Sequence, residues 1–210
     1  MSEILSKREK NKLQKKQTFI DAAEKLFAQN GFENTSIDEV AVNAGYTKKT
    51  LYQYFQSKED LFYAAALKGA EELYNKSVDA IAGGENAREK IHLANLAHLE
   101  FYRKHFDLFR ILNYTPANRQ NIELSPHYQQ IKVLDARRMS YVLSLMSQGQ
   151  SDGSINKDYD MKKAVMFGFF ASFSMLYTFA FTDKSVWTAL EMDENEFLQF
   201  SFDLIGKALK

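Results

Sequence analysis

The chain has 210 residues, 45% of them hydrophobic and 26% charged, which is typical of a folded protein and excludes a disordered one. Its 27 basic and 27 acidic residues balance, so a nucleic-acid partner would have to be recognised by a local concentration of charge. The absence of cysteine excludes disulfides, thiolate metal sites and cysteine nucleophiles. No apolar core follows the early lysines, so we expect no secretory signal and a cytoplasmic protein.

The first predicted element is a helix whose N-terminal part is strongly basic. Its apolar face comprises Leu13, Phe19, Ile20, Ala23, Leu26 and Phe27, and it ends at Asn30-Gly31. Between residues 7 and 16, a single acid, Glu9, accompanies six cations: Lys7, Arg8, Lys10, Lys12, Lys15 and Lys16. Such a run is either a solvated helix face or a surface that follows a nucleic-acid backbone.

Three further helices follow at short intervals. Ser36 with Glu39 three residues later forms a capping box that begins a short second helix, which Gly45 ends. A third helix is predicted over residues 47–55. Ser57 with Asp60 then begins a long fourth helix that runs towards Ile81.

The tight turn at Gly45 joins two short helices, as in a helix-turn-helix. Glycine permits a positive φ in the turn, and the small Ala41 allows the two helices to cross closely. We expect the outer face of the second of these helices to enter a DNA major groove, with Lys48 and Gln53 reading base edges. The alternative is an ordinary helical corner with surface lysines. The candidate DNA-binding residues are Thr35, Ser36, Thr47, Lys48, Lys49, Tyr52, Gln53, Tyr54 and Lys58.

Residues 10–65 resemble the DNA-binding domain of the TetR/AcrR family of regulators. The motifs that carry the resemblance are Phe27-Ala28-Gln29-Asn30-Gly31-Phe32, Thr35-Ser36-Ile37-Asp38-Glu39-Val40-Ala41, Ala44-Gly45-Tyr46, Leu51-Tyr52-Gln53-Tyr54-Phe55 and Ser57-Lys58-Glu59-Asp60-Leu61. The resemblance implies phosphate contacts from Tyr52, Tyr54, Lys58 and either Thr35 or Ser36. It also implies that Thr47, Lys48 and Lys49 lie at the groove. Gln53 departs from the aromatic residue common in the family, so a sequence preference does not carry over.

The remaining chain is also predicted to be helical, giving an all-α fold. We expect an N-terminal helix-turn-helix domain over residues 1–66 and a helical dimerisation and effector-binding domain over 67–210. The further helices are predicted at 85–105, 106–114, 126–148, 158–182 and 193–209. Gly149 to Gly153 is predicted as a loop, so its G-x-S-x-G pattern is not a nucleophile elbow, which would require a preceding strand.

The uncharged stretch over residues 164–182 is long enough to span a membrane, but we expect it to be the central helix of a soluble helical body. The resemblance implies a homodimer formed by the last two long helices. Small residues four apart and apolar residues of the last helix support this interpretation. The predicted interface residues are Ala164, Gly168, Ser172, Phe197, Phe200 and Leu204.

Aromatic residues of the middle helices are candidates for a ligand cavity, with core packing as the alternative for each. They are Phe101, Tyr102, Phe106, Phe109, Tyr114, Tyr128 and Tyr141. We expect no cofactor and no metal site, because the four histidines form no recognised metal pattern and are more typical of surface or pocket positions. The predicted function is a non-enzymatic regulator that binds a pseudo-palindromic DNA operator and is released by an unidentified small molecule. The alternatives are a helical ligand-binding protein or enzyme that does not bind DNA, and a TetR-type activator without an effector.

Overall fold

The computed structural model describes residues 6–114 and 122–210, with the side chains of Asn113 and Phe181 excepted. The described residues form ten helices and no strand, which confirms the predicted all-α fold. The helices are α1 (Lys7–Asn34), α2 (Ile37–Asn43), α3 (Lys48–Leu51), α4 (Lys58–Ile81), α5 (Ala87–Lys104), α6 (Phe106–Asn113), α7 (Pro126–Asp152), α8 (Met161–Phe181), α9 (Lys184–Ala189) and α10 (Glu194–Lys207).

The chain divides into two compact units. The first is Met1–Ala70 with Asp107–Val133, and the second is Glu71–Phe106 with Leu134–Lys210. The first unit therefore contains α6 and the beginning of α7 in addition to the N-terminal helices. The domain boundary at residue 66 remains a prediction.

The core of the first unit forms between α1, α2, α3 and the start of α4. Phe19, Val40, Leu51 and Leu61 are fully buried in one apolar cluster. The end predicted for the first helix at Asn30-Gly31 is a kink at Gly31, where φ is 77°, and helical turns continue to Asn34. Leu13 does not join the core as expected, because it is 53% exposed and lies before the part of α1 that has a partner.

In the second unit, α5 packs against α8 and α10, and α8 packs against α10. The loop predicted at residues 149–153 is wrong, because α7 continues through Gly149 to Asp152. Gly149 serves close packing, since a Cβ there would lie 2.5 Å from Ile155 Cδ1. The turn comes at Gly153, whose φ of 80° favours glycine. α9, which the sequence pattern did not predict, begins at the N-cap Asp183.

Helix α8 carries much of its apolar surface on the outside of the chain. Residues Met161–Ala180 are long and apolar enough to cross a membrane, but only 17% of the most apolar window is buried. The expectation that this helix lies at the centre of the body is therefore wrong for the single chain. Phe167 and Phe170 are each 58% exposed.

Candidate nucleic-acid interface

The turn between α2 and α3 is fixed by caps on both helices. Ser36 and Glu39 form the predicted capping box at the start of α2, with reciprocal bonds of 3.1 and 2.7 Å between side chain and backbone. The Thr47 hydroxyl caps α3 by accepting the Thr50 N–H at 3.2 Å. Between them, Gly45 adopts a φ of 76°, in the left-handed region predicted for this turn.

The ring of Phe19 on α1 holds α3 in place. It lies 5.1 Å from the ring of Tyr46, 5.7 Å from that of Tyr54 and 6.3 Å from that of Phe55. Because the Tyr54 ring packs against this core, Tyr54 is only partly exposed. The outward side of α3 and the turn after it carries exposed polar side chains, those of Thr47, Lys48, Lys49, Tyr52 and Gln53.

Thr35, one of the candidate DNA-binding residues, does not face outward. It is 1% exposed, and its hydroxyl lies 2.8 Å from the Gly31 carbonyl oxygen and 3.2 Å from that of Leu26. A buried hydroxyl between two carbonyl acceptors joins the end of α1 to its own last turns. Thr35 therefore has a structural role here, and its exposed neighbour Ser36 remains as the candidate at the start of α2.

Lys48 has an acidic neighbour that the sequence pattern did not indicate. Its Nζ lies 2.8 Å from Asp38 Oδ2 on α2, and both side chains are at least half exposed. The hydrogen bond and the negative charge of Asp38 raise the pKa of the Lys48 ammonium. The outward side of α3 has no acid of its own, but α2 supplies one at its edge.

Lys58, in the first turn of α4, lies beside the end of α1. Its Nζ lies 4.3 Å from the centroid of the Phe32 ring and donates to the Glu33 carbonyl oxygen at 3.3 Å. These contacts orient the ammonium group, which stays partly exposed. Lys58 remains a candidate phosphate contact.

A buried polar cluster, which the sequence pattern did not indicate, joins the first turn of α4 to the start of α7. Asp60 is 2% exposed, and its Oδ1 accepts hydrogen bonds from His127 Nδ1 at 2.7 Å and from Ser125 Oγ at 2.8 Å. Its Oδ2 accepts the Gln56 N–H at 3.1 Å. His127 is therefore a buried partner of Asp60 and not a surface or pocket histidine. The only sequence signal was the Ser57–Asp60 cap, which the structure contains.

The hydrogen bonds of this cluster lower the pKa of Asp60. Burial alone would raise its pKa, but the hydrogen bonds from His127, Ser125 and Gln56 outweigh burial and hold the pKa below the ordinary 3.8. Asp60 is thus a carboxylate at neutral pH, and its charge is compensated by donors from both sides of the contact.

The seven candidate cavity residues are divided between the two units. Phe109, Tyr114 and Tyr128 belong to the first, and Phe101, Tyr102, Phe106 and Tyr141 to the second. Tyr114 donates to Glu33 at 3.0 Å and Tyr128 packs against the Tyr63 ring, so both have structural partners in the first unit. Tyr141 is 42% exposed. A common cavity for the seven remains a prediction.

The six predicted interface residues also differ in environment. Ser172 is buried inside its own chain, so it is not accessible to a second copy. Ala164 and Phe197 are partly buried, Phe197 by stacking against Phe179. A Cβ at Gly168 would meet no atom within 4 Å, and Phe200 and Leu204 are 62% and 55% exposed.

In the second unit, His98 is a histidine with a lowered pKa. Desolvation, with a smaller contribution from the charge of Arg138, lowers the pKa of His98 to about 4. The His98 Nδ1 lies 2.8 Å from the Ala94 carbonyl oxygen, so the neutral ring carries its proton there. The Arg138 guanidinium lies 5.7 Å from the centroid of the Phe169 ring.

Comparison with known proteins identifies the first unit most clearly. Residues 19–65 match the family model of bacterial regulatory proteins of the tetR family. The HTH-type transcriptional regulator YhgD of Bacillus subtilis is 29% identical over 145 residues, which cover 68% of this chain and 73% of YhgD. The fatty acid metabolism regulator protein of Bacillus subtilis is 24% identical over 155 residues, or 74% of this chain and 78% of that protein.

The fold as a whole is also found among solved structures. The transcriptional regulator FadR from Bacillus subtilis, solved in complex with stearoyl-CoA, superposes with a TM-score of 0.72 at 19% sequence identity. The superposition covers 92% of this chain and 99% of FadR. At this level of identity the similarity establishes the fold.

We predict that Asp60→Asn lowers the free energy of unfolding by about 1–3 kcal/mol at pH 7, because it removes the charge that the buried donors compensate. Since the folded-state pKa is lowered, this stabilisation is present above pH 3.8 and is lost as the pH falls through the folded-state value. Urea unfolding should therefore show the penalty at pH 7 and a smaller penalty at pH 3. The exposed Asp79 on the same helix provides the control, Asp79→Asn. An equal loss in the free energy of unfolding for both variants would contradict the stabilising role assigned to the hydrogen bonds of Asp60.

Proposed function

We propose, because this chain belongs to the TetR family of bacterial transcriptional regulators, that it binds a pseudo-palindromic DNA operator as a homodimer and leaves the operator when a small molecule binds. The observation that carries the DNA-binding part is the outward side of α3, where exposed amine, hydroxyl and amide groups lie on a helix anchored by Phe19. The relatives are named as transcriptional regulators, so we propose that this chain has no catalytic step and that it is located in the cytoplasm, where bacterial DNA is.

On the operator, Lys48 and Gln53 are the proposed readers of base edges, and Lys49, Tyr52 and Lys58 the proposed phosphate contacts. Lys48 must leave Asp38 to reach DNA. An ion pair between half-exposed side chains contributes little to stability, so exchanging Asp38 for a DNA partner costs little.

The exposed apolar side of α8 and α10 supports the homodimer. Phe167, Phe170 and Tyr177 of α8 and Phe200 and Leu204 of α10 are each about half exposed, and the two helices pack together. Contiguous apolar patches of this kind are typical of interaction sites. A second copy would cover both patches by the same surface, as a two-fold interface requires. Gly168, which has open space at its Cβ, would let the partner helix approach closely.

For the effector we propose a long-chain acyl thioester as the first class of ligand to test. FadR from Bacillus subtilis was solved with stearoyl-CoA bound, and it superposes on almost the whole of this chain. In this chain, buried Phe101 and Tyr102 are apolar candidates for the acyl chain. Arg138, beside His98, is the candidate for a polar end of the ligand.

We predict that Lys48→Ala combined with Tyr52→Ala weakens operator binding by about 100-fold, since each of the two DNA contacts is worth about 1–3 kcal/mol. Fluorescence anisotropy on an operator obtained by genomic DNA selection provides the measurement. Lys25→Ala with Tyr159→Ala removes the same two residue types at exposed positions away from α3 and should bind as the unchanged chain does. Equal affinity of both double variants would contradict the proposal.

We predict that Phe167→Glu with Phe170→Glu converts the dimer to a monomer, because burying two carboxylates in an apolar interface is strongly unfavourable. Light scattering after size-exclusion chromatography measures the mass in detergent-free buffer. Val133→Glu, at an apolar position of the first unit that is 63% exposed, should leave the mass unchanged. A monomeric mass for the unchanged chain would refute the homodimer.

We predict that stearoyl-CoA releases the chain from its operator in a saturable manner, while coenzyme A alone does not. Arg138→Gln should raise the half-effective concentration of stearoyl-CoA without changing affinity for the operator. If neither thioester nor free fatty acid alters the anisotropy, the acyl ligand class is wrong, although DNA recognition by α3 stands.

A further inference from the structure

The first three turns of α1 extend beyond the core as an exposed basic helix. α1 begins at Lys7, with Ser6 and Glu9 forming a capping box, whereas its first buried residue is Phe19. None of residues 7–18 is buried, so the cap is the main local contribution to the stability of the helical start. The segment contains six cations and one acid, and the carboxylate of that acid is bonded to Ser6.

Three of these cations lie on the side of α1 that faces the helix-turn-helix. Lys15, Lys12 and Arg8 precede Phe19 by 4, 7 and 11 residues, which places all of them on its side of a helix with 3.6 residues per turn. The structure supports this direction, because Lys15 Nζ lies 5.6 Å from the centroid of the Tyr46 ring, which Phe19 also contacts. Arg8, Lys12 and Lys15 are called the basic stripe below.

The basic stripe begins beside the turn that leads into α3. From Phe19 to Arg8 the helix rises about 16 Å, at 1.5 Å per residue. Each of the three side chains is exposed. Among residues 6–114 and 122–210, no carboxylate lies within 4.0 Å of the three cationic groups. Further along α1, by contrast, Asp21 and Glu24 are both paired with Lys68.

We infer that the basic stripe binds DNA backbone phosphates that flank the bases read by α3. The inference rests on the proposed function, since it requires α3 to lie on a duplex. Phosphate is the partner because the cations are closely spaced and lie on one line, as are the charges along a DNA strand. An anionic membrane surface would also attract lysines, but it would not explain their alignment with Phe19 and Tyr46.

The test compares two triple variants of the 210-residue chain with the same change in charge. The stripe variant is Arg8→Gln, Lys12→Gln and Lys15→Gln. The control variant is Lys7→Gln, Lys10→Gln and Lys25→Gln, whose exposed positions lie on the other sides of the same helix. Glutamine favours helix about as well as lysine, so circular dichroism should be the same for both.

Operator affinity is measured by anisotropy over a range of salt concentrations. For the stripe variant we expect the slope of log affinity against log salt to become shallower by about 0.9 for every phosphate that the protein no longer neutralises. We also expect binding about tenfold weaker at low salt, with sequence preference unchanged. The control variant should keep the slope of the unchanged chain. Equal slopes for the two variants would overturn the inference.

Shortening the duplex provides a second readout. Removing base pairs outside the two half-sites should weaken binding by the unchanged chain and leave the stripe variant unaffected, since that variant does not bind the flanking phosphates. If trimming affects both proteins equally, the stripe does not bind the flanks. If the stripe variant loses binding to phosphatidylglycerol vesicles but keeps its affinity for DNA, the stripe binds a membrane, and the inference is overturned.

These outcomes separate the inference from the function on which it rests. If the unchanged chain selects no DNA sequence, the proposed function fails. If it selects an operator and the two triple variants bind alike, only the basic stripe is refuted.

Discussion

The packing of Phe19 against the aromatic residues around α3 is the interaction on which DNA recognition depends. α3 has only four residues in regular helical geometry, too few to keep its orientation without tertiary contacts. The rings of Tyr46, Tyr54 and Phe55 precede and follow it, and all three lie within 6.3 Å of the Phe19 ring. With its inner side fixed in this way, the backbone of α3 is already oriented before DNA binds, so only its exposed side chains remain to be ordered.

The electrostatics of the chain are local, which explains how a protein with no net charge can bind an anionic polymer. Three acids near the helix-turn-helix are engaged with specific donors: Asp38 with Lys48, Glu39 with Ser36, and Asp60 with His127. The cations of α3 and of the start of α1 are exposed at the same time. Local excess of positive charge, rather than the sum over the chain, determines where a phosphate backbone is attracted.

Local signals in the sequence predicted the local structure of the first unit well. The capping box at Ser36 and the glycine at position 45 specify backbone geometry within a few residues, and both are present. Contacts between distant segments were not predicted, because no local pattern encodes them. Asp60, for example, meets His127 across more than sixty positions.

Side-chain environment was predictable only where periodicity determines it. Thr35 and Ser36 are adjacent and chemically similar, yet one is buried between carbonyl oxygens and the other exposed. The aromatic residues proposed to line a cavity occur in both compact units, and hydrophobic periodicity alone does not distinguish a cavity wall from a packed core. The sequence placed α8 both at the centre of the helical body and at a dimer interface, since the apolar character of a helix does not reveal whether its own chain or a second copy covers it.

The central claim is that the outward side of α3 enters the major groove, once for each subunit of a dimer. Dimethyl sulfate footprinting of the selected operator tests it most directly, because the N7 atom of guanine lies in the major groove. We expect protection of guanines in two symmetric half-sites on one face of the duplex, and loss of protection at one position of each half-site in Lys48→Ala. Protection confined to a single half-site, or a pattern that Lys48→Ala leaves unchanged, would contradict the claim.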